Sequence, residues 1–348
     1  MRAWRTHEYG DPLGVLVLDD VAIPDPDPGE VRVRVQAIPL NLNDLERITG
    51  GNMMVRPDLP SSPGMEVMGV VEACGEGTED RLGERVVATT KGAHGGYAEY
   101  AICPAVSMFS MPDSIPLPDA AALYFPFHLA WLGLVDRAEL QSGETVLIHA
   151  AAGGSGSAAI QIAKHLGARV IATAGSAAKV ALCRELGADV AIDYTVEDIQ
   201  PIVLAETNDR GVEVVFDNVG EAVMEASMAC TAYNGRYLMM GFASNKAVAD
   251  EPFLVPRRVA LGNLKLCGVL LAYADPAMSH LVKTAMGWNF ASGELGAQVM
   301  REIVDLYSSG AIRAVVGSTV GFDQIPEAIT AMANRETVGR TIVLVDTP

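Results

Sequence analysis

Thr145-Val-Leu-Ile-His-Ala-Ala-Ala-Gly-Gly-Ser-Gly-Ser157 is the stretch of sequence that decides the fold. Its first half is a short apolar run that leads directly into a glycine-rich turn, and a helical pattern follows as far as His165. A strand, a glycine turn and a helix in this order are typical of a dinucleotide-binding βαβ unit. In the spacing Ala150-x-x-Gly153-x-x-Gly156, Gly153 would let the backbone approach a pyrophosphate. Gly156 would let the helix lie close to the strand.

Strands and helices alternate through the middle of the chain, from about residue 118 onward. The predicted strands are Thr145–Ala150, Arg169–Ala174, Val190–Asp193, Val212–Asp217 and Arg236–Met240. This alternation predicts a parallel sheet with helices on both faces, which is a doubly wound Rossmann domain. In that setting the glycine turn favours a bound dinucleotide over a turn that serves packing alone.

The end of the second predicted strand indicates which dinucleotide would bind. An NAD enzyme usually places Asp or Glu there to hold the ribose hydroxyls, but the segment Ala172-Thr-Ala-Gly-Ser176 has no acid. Ser176, Lys179 and Tyr194 offer a hydroxyl, an ammonium and a phenol that could contact a 2′-phosphate. The alternative is that Lys179 is a solvated helix residue and Tyr194 a loop aromatic. The missing acid favours NADPH.

The two ends of the chain share a β-rich pattern. Val31 to Val35 alternates strictly between apolar and polar residues, and Pro and Gly punctuate the short apolar runs that follow, which is typical of a barrel-like β domain. Arg340 to Val345 predicts a closing strand that returns to this domain. We therefore predict a β-rich domain made of residues 1–121 with 290–348 and a Rossmann domain at 122–289.

Composition excludes several classes of partner. The 348 residues carry a formal net charge of −18, and an acidic surface repels phosphate backbones, so we expect no nucleic acid partner. The longest uncharged stretch, Ala120 to Val135, is too short to span a bilayer comfortably, and the N-terminus has no signal-peptide pattern. Five widely scattered cysteines predict neither a disulfide framework nor a cysteine-rich zinc lobe, and favour a reducing cytoplasm.

Several motifs carry a resemblance to one family. They are Asn41-x-x-Asp44, Pro63-Gly64-Met65-Glu66, Gly95-Gly96-Tyr97-Ala98-Glu99-Tyr100, Asp217-Asn218-Val219-Gly220 and Gly339-Arg340. With the glycine turn, they make nearly the whole chain resemble the zinc-free quinone oxidoreductase branch of the medium-chain dehydrogenase/reductase superfamily. The resemblance implies an α/β protein with a GroES-like catalytic domain, a Rossmann domain for NADPH, a cleft between them for nicotinamide and substrate, and a homodimer.

The resemblance also implies where cofactor and substrate would bind. Residues implied at the cofactor are Ala152, Gly153, Gly154, Ser155, Gly156, Asn218, Gly241 and Phe242. Asn41, Asp44 and Arg47 are implied near the nicotinamide or the substrate, although Asn and Asp also favour helix caps. Leu129 stands where relatives often have Thr, so His128 either faces the cleft as a catalytic group or is a core histidine.

Metal chemistry is not expected. Metal-dependent members of the superfamily carry Cys and His ligands where this chain has Asn41 and Met65, and an amide with a thioether does not hold zinc. Glu66 alone cannot make a site. Without a metal, the negative charge that develops on an acceptor must be held by hydrogen-bond donors such as Asn41.

These residues favour an enzyme that transfers hydride from NADPH to a quinone or another conjugated carbonyl acceptor. A first alternative is an enone or enoyl-thioester double-bond reductase, which is weakened because Gly50 to Met54 lacks the Tyr that serves as a proton donor in many such relatives. A second alternative is a non-catalytic NADPH-binding sensor or partner protein.

Overall fold

The computed structural model describes residues 1–51, 56–240 and 256–346. The strands are β1 (Arg2–Thr6), β2 (Leu16–Asp20), β3 (Glu30–Pro39), β4 (Glu66–Cys74), β5 (Arg85–Thr89), β6 (Tyr100–Pro104), β7 (Met108–Ser110), β8 (Thr145–Ile148), β9 (Arg169–Ala174), β10 (Val190–Asp193), β11 (Val212–Asp217), β12 (Thr231–Met239), β13 (Lys265–Gly268), β14 (Tyr273–Ala274), β15 (Ala291–Ser292), β16 (Val316–Gly321) and β17 (Arg340–Leu344). The α-helices are α1 (Pro12–Val15), α2 (Leu42–Thr49), α3 (Asp119–Ala122), α4 (Tyr124–Trp131), α5 (Gly154–His165), α6 (Ala177–Glu185), α7 (Ile199–Glu206), α8 (Glu221–Ala229), α9 (Pro256–Gly262), α10 (Pro276–Met286), α11 (Gly293–Ser308) and α12 (Ile325–Ala333).

The chain divides into two compact units. The first contains the described residues of Met1–Tyr124, Ala272–Asp305 and Ala314–Pro348, and the second those of Phe125–Leu271 and Leu306–Arg313. The domain boundaries that the sequence predicts, 1–121 with 290–348 and 122–289, stay a prediction. None of the described helices has the length and the apolar character needed to cross a membrane.

The first unit is built on a seven-stranded sheet in the order β16-β17-β3-β4-β5-β7, with β6 paired to β3. Val31, Val33 and Val35 on β3 are fully buried while the residues between them are half-buried, as the alternating pattern predicts. The strands β4 and β17 both run antiparallel to β3, so their first residues lie beside its last ones. This arrangement brings Glu66 and Arg340 to the place where β3 turns into α2.

The second unit is a parallel sheet of six strands in the order β10-β9-β8-β11-β12-β13. Its inner strands are continuous apolar runs, such as the fully buried Val146, Leu147 and Ile148, because helices cover both faces. The order reverses between β8 and β11, and ligands of such sheets bind at the carboxyl ends of the strands near this switch point. The predicted doubly wound sheet is confirmed, and a sixth strand, β13, extends it at one edge.

Candidate functional site

The glycine turn after β8 holds its helix closer to the strand than any side chain would allow. A Cβ atom added to Gly156 would lie 2.3 Å from the Ala150 carbonyl oxygen. Gly153 is extended and precedes the first residue of α5, and no side chain among the described residues caps this helix. The N–H groups at a helix start carry a partial positive charge and favour anions. The turn therefore fits the pyrophosphate of a dinucleotide, although the packing of Gly156 alone would also require glycine.

Two of the residues predicted to recognise a 2′-phosphate, Ser176 and Tyr194, lie just after the end of β9, and Lys179 follows in the first turn of α6. The phenol of Tyr194 lies across Gly175, since a Cβ at Gly175 would be 2.4 Å from the Tyr194 oxygen. The Ser176 hydroxyl accepts a hydrogen bond of 3.3 Å from the Lys179 backbone N–H and so begins α6. A side chain at residue 175 would have to displace the phenol of Tyr194, which is partly exposed.

The loop after β11 contains a buried polar group that the described residues leave unsatisfied. The carboxylate of Asp217 accepts the backbone N–H groups of Val219, at 2.7 Å, and Gly220, at 2.9 Å. The amide nitrogen of Asn218 is buried and has no hydrogen-bond partner among the described residues. A buried donor without an acceptor costs about 1–3 kcal/mol, so a ligand at this loop would relieve that cost. Two other predicted cofactor residues, Gly241 and Phe242, lie outside the described residues.

In the first unit, Asn41 belongs to a buried cluster of charged and polar side chains. Its amide nitrogen donates to the Pro39 carbonyl at 3.1 Å and to a Glu66 carboxylate oxygen at 3.0 Å, and its amide oxygen accepts from Arg340 at 2.8 Å. Arg340 also pairs with Glu66 at 2.5 Å. Both amide hydrogens of Asn41 are therefore engaged, and in this arrangement neither is left for a hydride acceptor. The prediction that Asn41 donates to the acceptor is not supported by these contacts, and its catalytic role stays a prediction.

Asp44 is fully buried one helical turn from Asn41. Its carboxylate accepts the backbone N–H groups of Asn41 and Met65, both at 3.0 Å, and the hydroxyl of Tyr97 at 3.2 Å. Burial raises the pKa of Asp44 to about 6, against the opposing effects of the Arg47 charge and of these hydrogen bonds. The helix-cap interpretation describes one of its three contacts, and the other two connect α2 to the rest of the cluster.

Arg47 and His94 lie close enough for the guanidinium charge to act on the imidazole. Burial and, to a smaller extent, the positive charge of Arg47 together lower the pKa of His94 to about 4. The Arg47 guanidinium donates to the Asn43 carbonyl at 2.7 Å through Nη1. The Nε of Arg47 and the Nδ1 of His94 are buried and have no hydrogen-bond partner among the described residues. Arg47 thus retains an N–H group that could donate a hydrogen bond to a ligand oxygen.

His128 lies on α4 in the second unit and is completely buried. Burial lowers the pKa of His128 to about 3, so its imidazole is neutral at physiological pH. A neutral, fully buried imidazole fits the core-histidine alternative, and the catalytic role of His128 stays a prediction.

The donor atoms around Asn41 do not suit zinc. Met65 and Asn41 are buried at the two positions where metal-dependent relatives would carry His and Cys, and Glu66 is already paired with Arg340. Zinc in proteins takes thiolate, imidazole or carboxylate ligands. No group of three or more His, Cys, Asp or Glu among residues 1–51, 56–240 and 256–346 could hold a metal ion.

The sequence interpretation did not identify Arg340, Tyr97 and Glu66 as members of one cluster. Arg340 lies 299 residues from Asn41 in the chain, and only the pairing of β17 with β3 brings them together. The available signal was the position of these residues within three separate family motifs.

Comparisons with known proteins agree with this geometry. The family model described as "Alcohol dehydrogenase GroES-like domain" matches residues 27–113, and "Zinc-binding dehydrogenase" matches residues 154–287. A quinone oxidoreductase of Pseudomonas aeruginosa is 34% identical over 97% of this chain and 97% of its own length. A 2-haloacrylate reductase of a Burkholderia species is 31% identical over 97% of both chains. The crystal structure of Escherichia coli quinone oxidoreductase complexed with NADPH superimposes with a TM-score of 0.84, at 27% identity over 99% of this chain and 100% of that one.

The chain belongs to the quinone oxidoreductase branch of the medium-chain dehydrogenase/reductase superfamily, a family of oxidoreductases. This confirms the predicted fold class, a GroES-like β-rich domain with a Rossmann domain.

Proposed function

We propose that this protein is an NADPH-dependent, metal-free oxidoreductase that reduces a quinone or another conjugated carbonyl compound. The observation that carries the proposal is the Tyr194 phenol over Gly175, because it replaces the acid of NAD enzymes with groups suited to a phosphate. The E. coli quinone oxidoreductase, whose structure contains NADPH, supports the choice of cofactor.

The residues of the second unit fit NADPH on three counts. The glycine turn from Ala152 to Gly156 would hold the pyrophosphate, with Gly154 and Ser155 at the uncapped start of α5. Ser176, Lys179 and Tyr194 would hold the 2′-phosphate. Asn218, whose buried amide nitrogen lacks a partner among the described residues, would donate to the cofactor. When bound, NADPH supplies a hydride.

In the first unit, we assign the recognition of the acceptor to Arg47 with Asn41 and Asp44 behind it. Arg47 has an Nε–H donor that could stabilise negative charge developing on an acceptor oxygen. Asn41 holds Glu66 and Arg340 in place through one hydrogen bond to each, and so acts as a positioning residue. An acceptor such as a quinone suits this site, since its reduced anion already spreads its charge over the ring.

Reduction of a conjugated double bond is the second candidate. It is supported by the 2-haloacrylate reductase of Burkholderia, which matches this chain over the same extent as the Pseudomonas quinone oxidoreductase. Such a reaction needs a proton donor at the α carbon.

One experiment separates these candidates. NADPH oxidation would be followed with ortho- and para-quinones, a simple enone, an enoyl thioester and a 2-haloacrylate as acceptors. Turnover with quinones is the expected result, and preferential turnover of an enone, thioester or haloacrylate would favour the double-bond reductase. Tight NADPH binding without turnover of any of them would contradict the enzyme and favour an NADPH-binding sensor.

We also propose that the protein is a cytoplasmic homodimer. Its five cysteines are unpaired, which suits a reducing compartment. Strand β13 lies at an edge of its sheet with Leu266 partly exposed, and an open edge is able to pair with a second copy. Light scattering should give twice the chain mass of 36.7 kDa, and a single-chain mass would contradict the dimer.

A further inference from the structure

A buried polar network lies under the carboxyl end of the second unit's sheet, and His149 is at its centre. His149 is the residue between β8 and the glycine turn, and only 1% of it is exposed. Its Nδ1 lies 3.0 Å from the Thr173 hydroxyl and its Nε2 lies 2.7 Å from the Ser227 hydroxyl. Its backbone N–H donates to the Phe216 carbonyl at 3.1 Å. Both ring nitrogens and the main chain of this one residue are therefore engaged.

The neighbouring hydrogen bonds favour one position for the proton on the ring. The Ser227 hydroxyl donates to the Val223 carbonyl at 2.6 Å, so its oxygen accepts from His149 Nε2–H. Nδ1 then accepts from the hydroxyl of Thr173. The ring is neutral in this arrangement, and burial, which lowers the pKa of His149 to about 4, keeps it so at physiological pH.

The network reaches three loops. The backbone of His149 continues into the glycine turn, and Thr173 is the last residue but one of β9, before Gly175 and Ser176. The backbone N–H of His149 reaches β11 at the Phe216 carbonyl, next to Asp217, whose carboxylate accepts the Tyr237 hydroxyl at 2.6 Å. Asp217 in turn shapes the loop that contains Asn218, through its bonds to Val219 and Gly220.

We propose that His149 is a positioning residue that fixes the glycine turn relative to the loops after β9 and β11, and so sets the affinity for NADPH. This rests on the proposed function. His149 acts through Thr173 and Ser227 and does not itself touch the cofactor. Loops that are held in their binding geometry lose less freedom when a ligand binds, which strengthens affinity.

The main test is NADPH binding to variants of His149, measured by calorimetry together with the temperature of unfolding. His149→Ala removes both side-chain bonds and should weaken NADPH binding about tenfold. His149→Gln should stay within about threefold of the parent protein, because its amide N–H can still donate to Ser227. Thr207→Val is the matched control, since Thr207 is a buried hydroxyl of the same unit that bonds Val203 and Gly211, away from these loops. It should leave NADPH affinity unchanged.

Two results would overturn the proposal while the proposed function stands. One is parent-like NADPH affinity in His149→Ala; the other is an equal loss of affinity in Thr207→Val. If His149→Ala does not fold, Thr173→Val and Ser227→Ala each cut one bond and should each weaken NADPH binding severalfold, and unchanged affinity in both would refute the network. In the parent protein, nitrogen NMR should show a neutral His149 with its proton on Nε2, and a proton on Nδ1 or a charged ring would contradict it. Failure of the parent protein to bind NADPH would instead overturn the proposed function and this proposal with it.

Discussion

The phenol of Tyr194 occupies the space beside residue 175, just after the end of β9. Its oxygen would lie 2.4 Å from a Cβ at residue 175, so an acidic side chain there would displace the phenol. The hydroxyl of Ser176 is used at the start of α6, where it accepts the Lys179 backbone N–H. The ammonium of Lys179 is the one full positive charge among the three groups assigned to the 2′-phosphate, and it should carry most of the discrimination between NADPH and NADH.

Replacement of Lys179 by Ala tests the cofactor assignment. A charge-assisted hydrogen bond is worth about 1.5–3 kcal/mol, which is roughly ten- to hundredfold in affinity. Lys179→Ala should therefore bring the dissociation constant of NADPH toward that of NADH, as measured by titration with both. Lys164→Ala, which removes a lysine paired with Asp189 at the end of α5, is the control and should leave the ratio unchanged. Equal affinities of the parent protein for the two cofactors would refute the assignment.

Asn41→Ala tests the cluster in the first unit. The change removes two hydrogen bonds to side chains and leaves Glu66 and Arg340 each with one partner fewer in a buried place. We expect the free energy of unfolding to fall by about 1–3 kcal/mol and turnover to fall as well, with NADPH affinity nearly intact. Chemical denaturation, steady-state kinetics and NADPH titration check the three parts. Asn43→Ala, on an exposed position of the same helix, should change none of them, and parent-like turnover in Asn41→Ala would contradict the positioning role.

Buried neutral histidines should make the protein acid-sensitive. Burial lowers the pKa of His128 to about 3 and of His149 to about 4, both below the ordinary value of 6.5. The unfolded chain then binds more protons than the folded one between these values, so stability is complete above about pH 6.5 and falls as the pH is lowered. Each histidine contributes a slope of about 1.4 kcal/mol per pH unit in that window.

The protonation of Asp44 has the opposite effect on the pH dependence of stability. Its folded pKa, raised to about 6 by burial, means that the folded protein takes up a proton from about pH 6 downward, before the unfolded chain does at its ordinary value of 3.8. His94, whose pKa is also lowered to about 4, adds to the effect of His128 and His149, and the three histidines outweigh the raised carboxyls of Asp44 and Asp217. Urea unfolding should therefore show a net loss of stability from pH 6.5 to pH 4. His128→Leu should flatten this slope, while Val196→Ala, at an exposed position without a titratable side chain, should not. A slope that His128→Leu leaves unchanged would show that His128 is charged in the fold.

At the scale of elements, the parallel sheet could be predicted well because a short apolar run in the sequence marks each of its inner strands. The strands β9, β10 and β11 have the bounds that the apolar runs predict, and the helix after the glycine turn ends at His165 as predicted. Strand β12 begins at Thr231, earlier than the predicted Arg236. Its first part was missed because Tyr233 and Asn234 are exposed and the pairing with β11 is irregular there. Strand β13 was not predicted, since Lys265–Gly268 is short and lacks a continuous apolar run.

The close approach of α5 to β8 should make the fold sensitive to one added methyl group. A methyl group on Gly156 would lie 2.3 Å from the Ala150 carbonyl oxygen and 2.6 Å from the Ala151 Cα, both backbone atoms that cannot turn aside. Gly156→Ala should push the helix from the strand, lower the free energy of unfolding by about 1–3 kcal/mol and weaken NADPH binding. Gly14→Ala, a helical glycine with nothing within 4 Å of an added Cβ, is the control and should be neutral or slightly stabilising. Unchanged NADPH affinity in Gly156→Ala would contradict the assignment of the glycine turn to cofactor binding.

At the scale of the whole molecule, the limits of sequence interpretation lie in contacts between distant parts of the chain. Asn41 and Asp44 were identified together because they belong to one family motif, Asn41-x-x-Asp44. Their partners Glu66, Tyr97 and Arg340 come from other strands and loops, and no local pattern indicates that five such side chains share one buried place. The same holds for His149, whose partners are 24 and 78 residues away.

The buried pairing of Glu66 with Arg340 bears on whether the protein can oxidise alcohols. An alcohol must lose a proton as well as a hydride, and zinc normally stabilises the resulting alkoxide. Here the nearby donors are the Asn41 amide, the Met65 thioether and a carboxylate already held by a guanidinium at 2.5 Å, and these do not make a zinc site. The protein should therefore reduce quinones with NADPH at an unchanged rate after dialysis against a chelator, and should not oxidise simple primary alcohols with NADP⁺. A zinc-dependent alcohol dehydrogenase dialysed in parallel should lose its activity, which shows that the treatment works. Elemental analysis that finds about one zinc per chain, or alcohol oxidation by metal-free protein, would overturn the mechanism, because either result would require ligands that Asn41 and Met65 cannot supply.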